Sequence, residues 1–174
     1  MPLAPRGIEQ AREAAPYFRA FRPTEIRVSP LVRARHTAEI LSAGLGITPI
    51  VEPQLMERNW GDLEGTADRD LGRRFPEVMA RLRSDRVHAD VPGGESLEAF
   101  WERVGHAWQT LRLLTGRVAV VSHGGTIRTL IGIALGLGAG EAPRLVIDNV
   151  HMTYLDLQGG GVEIRAVNIW PPLL

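Results

Sequence analysis

The segment Val118-Ala-Val-Val-Ser-His-Gly-Gly125 constrains this chain more than any other. An unbroken apolar run over Arg117–Val121 reads as a short strand buried on both faces. Such a strand needs a layer of structure above and below it. Two glycines follow, and then an apolar helix over Thr126–Gly136. A buried strand passing directly into a helix is the unit from which parallel α/β sheets are made. Strands of 4–5 residues alternate with helices elsewhere too. Glu25–Val28 reads as a strand, Pro30–Gly44 as a helix and Ile47–Val51 as a strand that Pro49 confines to an edge. Met152–Leu157 and Val162–Asn168 read as an antiparallel pair turned at Gly159-Gly160-Gly161. The expectation is an α/β domain spanning residues 1–174: a mostly parallel sheet flanked by helices, with an antiparallel edge.

The helices are legible to different degrees. Leu97, Phe100, Trp101, Val104, Trp108, Leu111 and Leu114 recur at helical spacing, with Ser96 as N-cap and Glu98 in the first turn. Asp68–Arg83 is helical in type but weakly patterned. Pro5–Ala15 opens the chain as a helix, and Pro16 predicts a stop or kink. Gln54–Gly65 and Ser84–Glu95 read as loops. A parallel α/β domain ordinarily begins with a strand, whereas this chain begins with a helix.

Composition excludes several classes of function. The chain has 174 residues, enough for one domain with a core. Twenty basic and twenty acidic side chains cancel, so the field that drives non-specific nucleic-acid binding is absent. Cysteine is absent, which removes disulfides, thiolate metal sites and a cysteine nucleophile. Every basic residue is arginine, so Schiff-base and P-loop lysines are excluded. No apolar run approaches the roughly 18–20 residues of a membrane helix, and residues 1–10 lack signal-peptide character. A cytoplasmic protein with neither nucleic-acid nor membrane partners is expected.

Chemistry is expected where strands pass into helices. Ligands of open α/β sheets bind beyond the carboxyl ends of the strands. His123 stands at such an end, and the N–H groups at the following helix start attract anions. Ser29-Pro-Leu-Val-Arg33 repeats the pattern, with Arg33 one turn into its helix and able to reach back over the strand end. Arg33 and Arg35 lie on different helix faces. The loop Leu55–Gly65 sets carboxylates, Glu57 among them, near Trp60, where an apolar wall can raise a carboxyl pKa. Taken singly, each has an ordinary alternative: a satisfied turn histidine, a solvated arginine, a surface carboxylate. His36, His88 and His106 read as surface residues and His151 opens a strand. Metal-ligand spacing is absent.

Together the segments resemble the histidine phosphatase superfamily, the phosphoglycerate-mutase-like fold. Residues 2–11 look like that family's P-L-[ST]-x-x-G-x-x-Q-A, and Ser29–Ala38 like its S-x-L-x-R-A-x-x-T-A. Leu55 to Gly65 looks like L-x-E-x-x-x-G-x-x-E-G, Pro92–Ser96 is P-G-G-E-S, and Ser122–Gly125 is S-H-G-G. The resemblance implies a phosphomonoesterase working on a small phosphorylated metabolite through a phosphohistidine, without metal or organic cofactor. It implies catalytic roles for Arg33, which grips the phosphoryl group, Glu57, the proton donor and base, and His123, which hydrogen-bonds the phosphoryl oxygens. Gly124, through its N–H, and Ser29 would contact the substrate.

One departure matters. The family nucleophile is the histidine of R-H-G at the end of a first, central strand beside the strand that ends at His123. This chain has no R-H-G. Two explanations are open. A start placed too far downstream, at a valine codon preceding Pro2, would put the nucleophile upstream of Met1. The all-arginine composition fits the GC-rich genome this needs. Alternatively the short form is a catalytically inactive relic that binds anions or acts as a scaffold, its sheet completed by another chain, a homo-oligomer being one such form. A mutase is the further alternative; only about thirty residues separate Gly65 from Ser96, short for the insert that mutases of the family carry.

Overall fold

A computed structural model describes residues 1–85, 87–141, 145–157 and 161–170. Helix α1 (Pro5–Ala20) leads to strand β1 (Glu25–Val28), helix α2 (Val32–Ser42) and strand β2 (Ile50–Val51). Helices α3 (Asp68–Arg74) and α4 (Pro76–Ser84) precede the long helix α5 (Leu97–Leu111). Strand β3 (Val118–Val121), helix α6 (Gly124–Ala134), and strands β4 (Met152–Asp156) and β5 (Glu163–Ile169) complete the chain.

The parallel sheet has the order β2-β1-β3, with Glu25–Val28 in register with Val118–Val121. Alternation along the strands divides their side chains between two layers. Ile26, Val28, Ala119 and Val121 pack with Ala14, Phe18 and Leu41 of α1 and α2. Val118 and Val120 pack on the opposite side against Phe100, Val104, Trp108 and Leu130 of α5 and α6. The continuous apolar run at 118–121 is thus explained by helices on both faces. β4 and β5 form a separate antiparallel ladder. The expected turn glycines Gly159 and Gly160 lie outside the described residues.

Three local readings need correction. Helix α1 runs through Pro16 to Ala20, so the stop, one of the two outcomes expected there, does not occur. Pro16 and Arg12 are both on the exposed face, so the Arg12 carbonyl that Pro16 cannot satisfy reaches water, while the extra turn buries Phe18. The stretch 68–83 is two helices. Pro76 opens α4 and holds the residue before it out of the helical region, with Phe75 at φ −132° and ψ 54°. The expected loop at 54–65 carries two short 3-10 turns, Pro53–Leu55 and Gly61–Leu63. The N-cap of α5 is as expected: Ser96 Oγ accepts from the Ala99 N–H at 3.0 Å.

Between β3 and β4 lies a cavity of about 770 Å³. Its walls include Val118–Val121 and Met152–Leu155, with Phe18 from α1 and Trp108 from α5 above and below. One end opens among Arg33, Glu57 and His123.

Candidate active site

Parallel pairing of β1 with β3 brings their carboxyl ends together, and the residues just beyond them meet. Ser29, fully buried, follows β1; His123 follows β3 and caps α6. His123 Nε2 and Ser29 Oγ are 2.8 Å apart. Ser29 Oγ also accepts from the Leu31 N–H at 3.3 Å, which fixes the entry into α2. Arg33 stands in the first turn of that helix and lines the same cavity mouth as His123, Glu57 and Gly124. Arg35 is exposed, as the two-residue spacing requires.

Burial, with the Arg33 guanidinium as the lesser cause, lowers the pKa of His123 from 6.5 to about 4. The imidazole is therefore neutral at pH 7. Its folded pKa lies below the unfolded value, so between about pH 4 and 6.5 the unfolded chain binds more protons. Stability is then full above pH 6.5 and declines on acidification towards 4. With a discount for the partly exposed ring, His123 contributes a loss of about 1–2 kcal/mol across that window. Denaturant midpoints at pH 7 and 4.5 should converge when wild type is replaced by His123→Gln. An equal acid loss in both proteins would assign the effect elsewhere.

Glu57 reaches the site from the opposite side. Its carboxylate accepts the Gly125 N–H at 2.9 Å and its neighbour's Arg58 N–H at 2.9 Å. The first of these sets the Glu57 carboxyl group at the amino end of α6. The glycine pair is unequal. A Cβ at Gly124 would meet only ordinary contacts with Ile147, whereas a Cβ at Gly125 would collide with Oε1 of Glu57. Gly125 is thus the position whose lack of a side chain lets the carboxylate approach. Trp60, the expected aromatic neighbour of the loop carboxylates, is engaged by other groups. The Arg58 guanidinium stacks 4.6 Å from the centre of the Trp60 ring, and Trp60 packs with the satellite cluster of Leu63, Val78 and Val91.

The loop bearing Glu57 is pinned by groups that the sequence reading passed over. Thr126 Oγ1 donates to the Met56 carbonyl at 2.8 Å, and Ser122 Oγ to the Leu55 carbonyl at 2.8 Å. Arg103 forks onto both carboxylate oxygens of Glu95 at 2.9 and 2.8 Å, and its Nη1 donates to the Gln54 and Met56 carbonyls. The available signal was an arginine bordering the apolar stripe of α5, one turn from Phe100. His88 and His106 are exposed, in agreement with the sequence, and His151 lines the cavity mouth beside Asn149. No helix among the described residues is long and apolar enough to cross a membrane.

The model of the histidine phosphatase superfamily (branch 1) matches residues 1–169. The chain belongs to the histidine phosphatase superfamily. A probable phosphoglycerate mutase, GpmB, of Shigella boydii is 33% identical over 159 residues, covering 90% of this chain and 74% of that protein. Among solved structures, the alpha-ribazole phosphatase of Shigella flexneri superimposes with a TM-score of 0.86 at 28% identity, over 97% of this chain and 84% of that one. A mycobacterial glucosyl-3-phosphoglycerate phosphatase, solved in complex with inorganic phosphate, does so with a TM-score of 0.82 at 26% identity, over 97% and 87%. Membership carries the phosphoglycerate-mutase-like fold expected from the sequence, and the superfamily relatives named here are phosphatases or mutases.

Proposed function

We propose that this histidine phosphatase homologue is a phosphomonoester hydrolase whose site is the Arg33–Glu57–His123 mouth. The observation that carries the reading is the convergence there of a guanidinium, a half-buried neutral imidazole and the amino end of α6. Spread negative charge on a phosphoryl group is met by fixed donors, which is most of what phosphoryl transfer asks of a protein. Arg33 binds the phosphoryl oxygens. His123 donates a hydrogen bond to the same group, alongside the N–H of Gly124 and the Ser29 hydroxyl.

The nucleophile in this reading is a histidine carried by a segment upstream of Met1. It attacks phosphorus as the bond to the leaving oxygen breaks, and Glu57 gives that oxygen its proton. Water then attacks the phosphohistidine, Glu57 takes the proton, and inorganic phosphate leaves. The substrate is a small phosphorylated metabolite and the setting is the cytoplasm. The complex of a mycobacterial relative with inorganic phosphate supports the anion site. The probable mutase of Shigella boydii favours a second reading, transfer of the phosphoryl group back to another position of the substrate.

The test is turnover of p-nitrophenyl phosphate and of phosphoglycerate by the upstream-extended protein and by the 174-residue chain. The expected result is hydrolysis by the extended protein and background rates from the shorter chain. Interconversion of phosphoglycerates without net phosphate release would establish the mutase reading instead. Inactivity of both would leave the relic.

A further inference from the structure

Leu55, Met56 and Glu57 are each received by a group of the turn 122–126. Ser122 Oγ donates to the Leu55 carbonyl at 2.8 Å, Thr126 Oγ1 to the Met56 carbonyl at 2.8 Å, and the Gly125 N–H to Oε2 of Glu57 at 2.9 Å. The turn also carries His123. The three bonds therefore fix the segment bearing Glu57 against the segment bearing His123.

Thr126 stands apart within this set. Its side chain is fully buried. A helical threonine can return its hydroxyl to the carbonyl four residues back, as Thr37 does to Arg33 at 2.9 Å and Thr110 to His106 at 3.4 Å. Thr126 is the third residue of α6, so the residue four back, Ser122, lies outside the helix. The hydroxyl crosses to Met56 instead. Nor does that carbonyl need the hydroxyl to be satisfied, because Arg103 Nη1 donates to it at 3.1 Å. An apolar side chain of the same shape would leave no carbonyl unpaired there. What the second donor adds is direction. A carbonyl with both lone pairs engaged is fixed in orientation, and this one shares a planar peptide group with the Glu57 nitrogen. Gly125 and Thr126 thus hold Glu57 at both ends, the carboxyl group through an amide and the main chain through a hydroxyl.

We infer that Thr126 is a positioning residue for proton transfer by Glu57, a role that rests on the reading of Glu57 as proton donor. Its influence passes through the Met56–Glu57 peptide, without contact with the substrate. The consequence depends on the leaving group. An alkoxide must gain a proton as its bond to phosphorus breaks, whereas p-nitrophenolate departs as a stable anion and asks little of a general acid. Small misplacements of reacting groups are costly. Losing the Thr126 hydroxyl therefore penalises alkyl phosphates more than p-nitrophenyl phosphate.

Two measurements test this. The first is amide hydrogen exchange in the 174-residue chain. Gly125 lies in the first turn of α6, where no intrahelical partner exists, so its protection reports the bond to Glu57. Thr126→Val and Thr126→Ala should each lower protection at Gly125 by about tenfold, with Leu130 and Ile131 within about twofold of wild type. Thr126→Ser should restore it. Unchanged protection at Gly125 in both variants lacking the hydroxyl, an equal loss at Leu130 and Ile131, or no recovery with serine would overturn the proposal.

The second is the ratio of kcat/KM for glycerol 2-phosphate to that for p-nitrophenyl phosphate, in the upstream-extended protein. Thr126→Val should lower the ratio by about tenfold, Glu57→Gln by more, and Thr126→Ser by less than about twofold. A ratio lowered by Glu57→Gln but not by Thr126→Val overturns the role of Thr126 and leaves Glu57 as proton donor. A ratio unmoved by Glu57→Gln, or an inactive extended protein, overturns both.

Discussion

Alanine at His123 lowers hydrolysis of p-nitrophenyl phosphate by the nucleophile-carrying protein by about 10²–10³-fold, with kcat falling far more than KM rises. The size follows from removing one fixed donor to developing phosphoryl charge. The ring is positioned from two sides: Nε2 meets Ser29 Oγ, and the backbone caps α6. Its neutrality matters for the direction of the effect. An imidazole with a pKa near 4 does not repel Arg33 at pH 7, so the two groups can face one anion together. Steady-state kinetics of His123→Ala, with circular dichroism to establish folding, checks this. Turnover within a few-fold of wild type would remove His123 from the site.

Alanine at Gly61 destabilises the fold by about 4 kcal/mol. Gly61 has φ +50°, and a Cβ built there would overlap the Pro92 carbonyl oxygen and the Gly94 nitrogen. Both obstacles are backbone, so no side chain can swing away. The 59–62 turn is stitched to 92–95 by the Asp62 N–H to the Pro92 carbonyl at 3.0 Å and the Glu95 N–H to the Asn59 carbonyl at 2.9 Å. Separating the two segments would also disturb the Arg103–Glu95 clasp behind Glu57. Gly65→Ala is the matched comparison. Its φ is +74° with open space around the added carbon, so it should lose only about 1 kcal/mol. Urea midpoints of the two variants measure the difference. Equal losses would mean that the contact with 92–94 is not what holds this loop.

Periodicity and punctuation reached most of the architecture because the layers impose them. The apolar run at 118–121 records burial on both faces, and the α5 stripe records burial on one. Pro16 misled because a proline matters only where its missing hydrogen bond has no other partner, and solvent supplies one here. The split at Phe75 was readable in principle from Pro76, but the weak pattern on either side hid it. At the site, strand-to-helix junctions and family motifs singled out Ser29, Arg33, Glu57 and His123, which the fold brings together. What they did not carry was the division of labour between Gly124 and Gly125, or the clamp by Arg103, Ser122 and Thr126. Those depend on approaches across 47 to 70 residues of sequence that no local pattern encodes. Trp60 illustrates another limit: the ring expected beside a carboxylate carries the Arg58 guanidinium over its face.

The central claim is that the Arg33–Glu57–His123 mouth transfers a phosphoryl group to a histidine supplied by another strand. Rapid quenching of the upstream-extended protein with a phosphorus-labelled monoester, followed by peptide mapping, tests it most directly. The account predicts one acid-labile, base-stable phosphohistidine per chain, on the added segment, and none on the 174-residue chain alone. A label on His123, or no phosphoenzyme during active turnover, would contradict it.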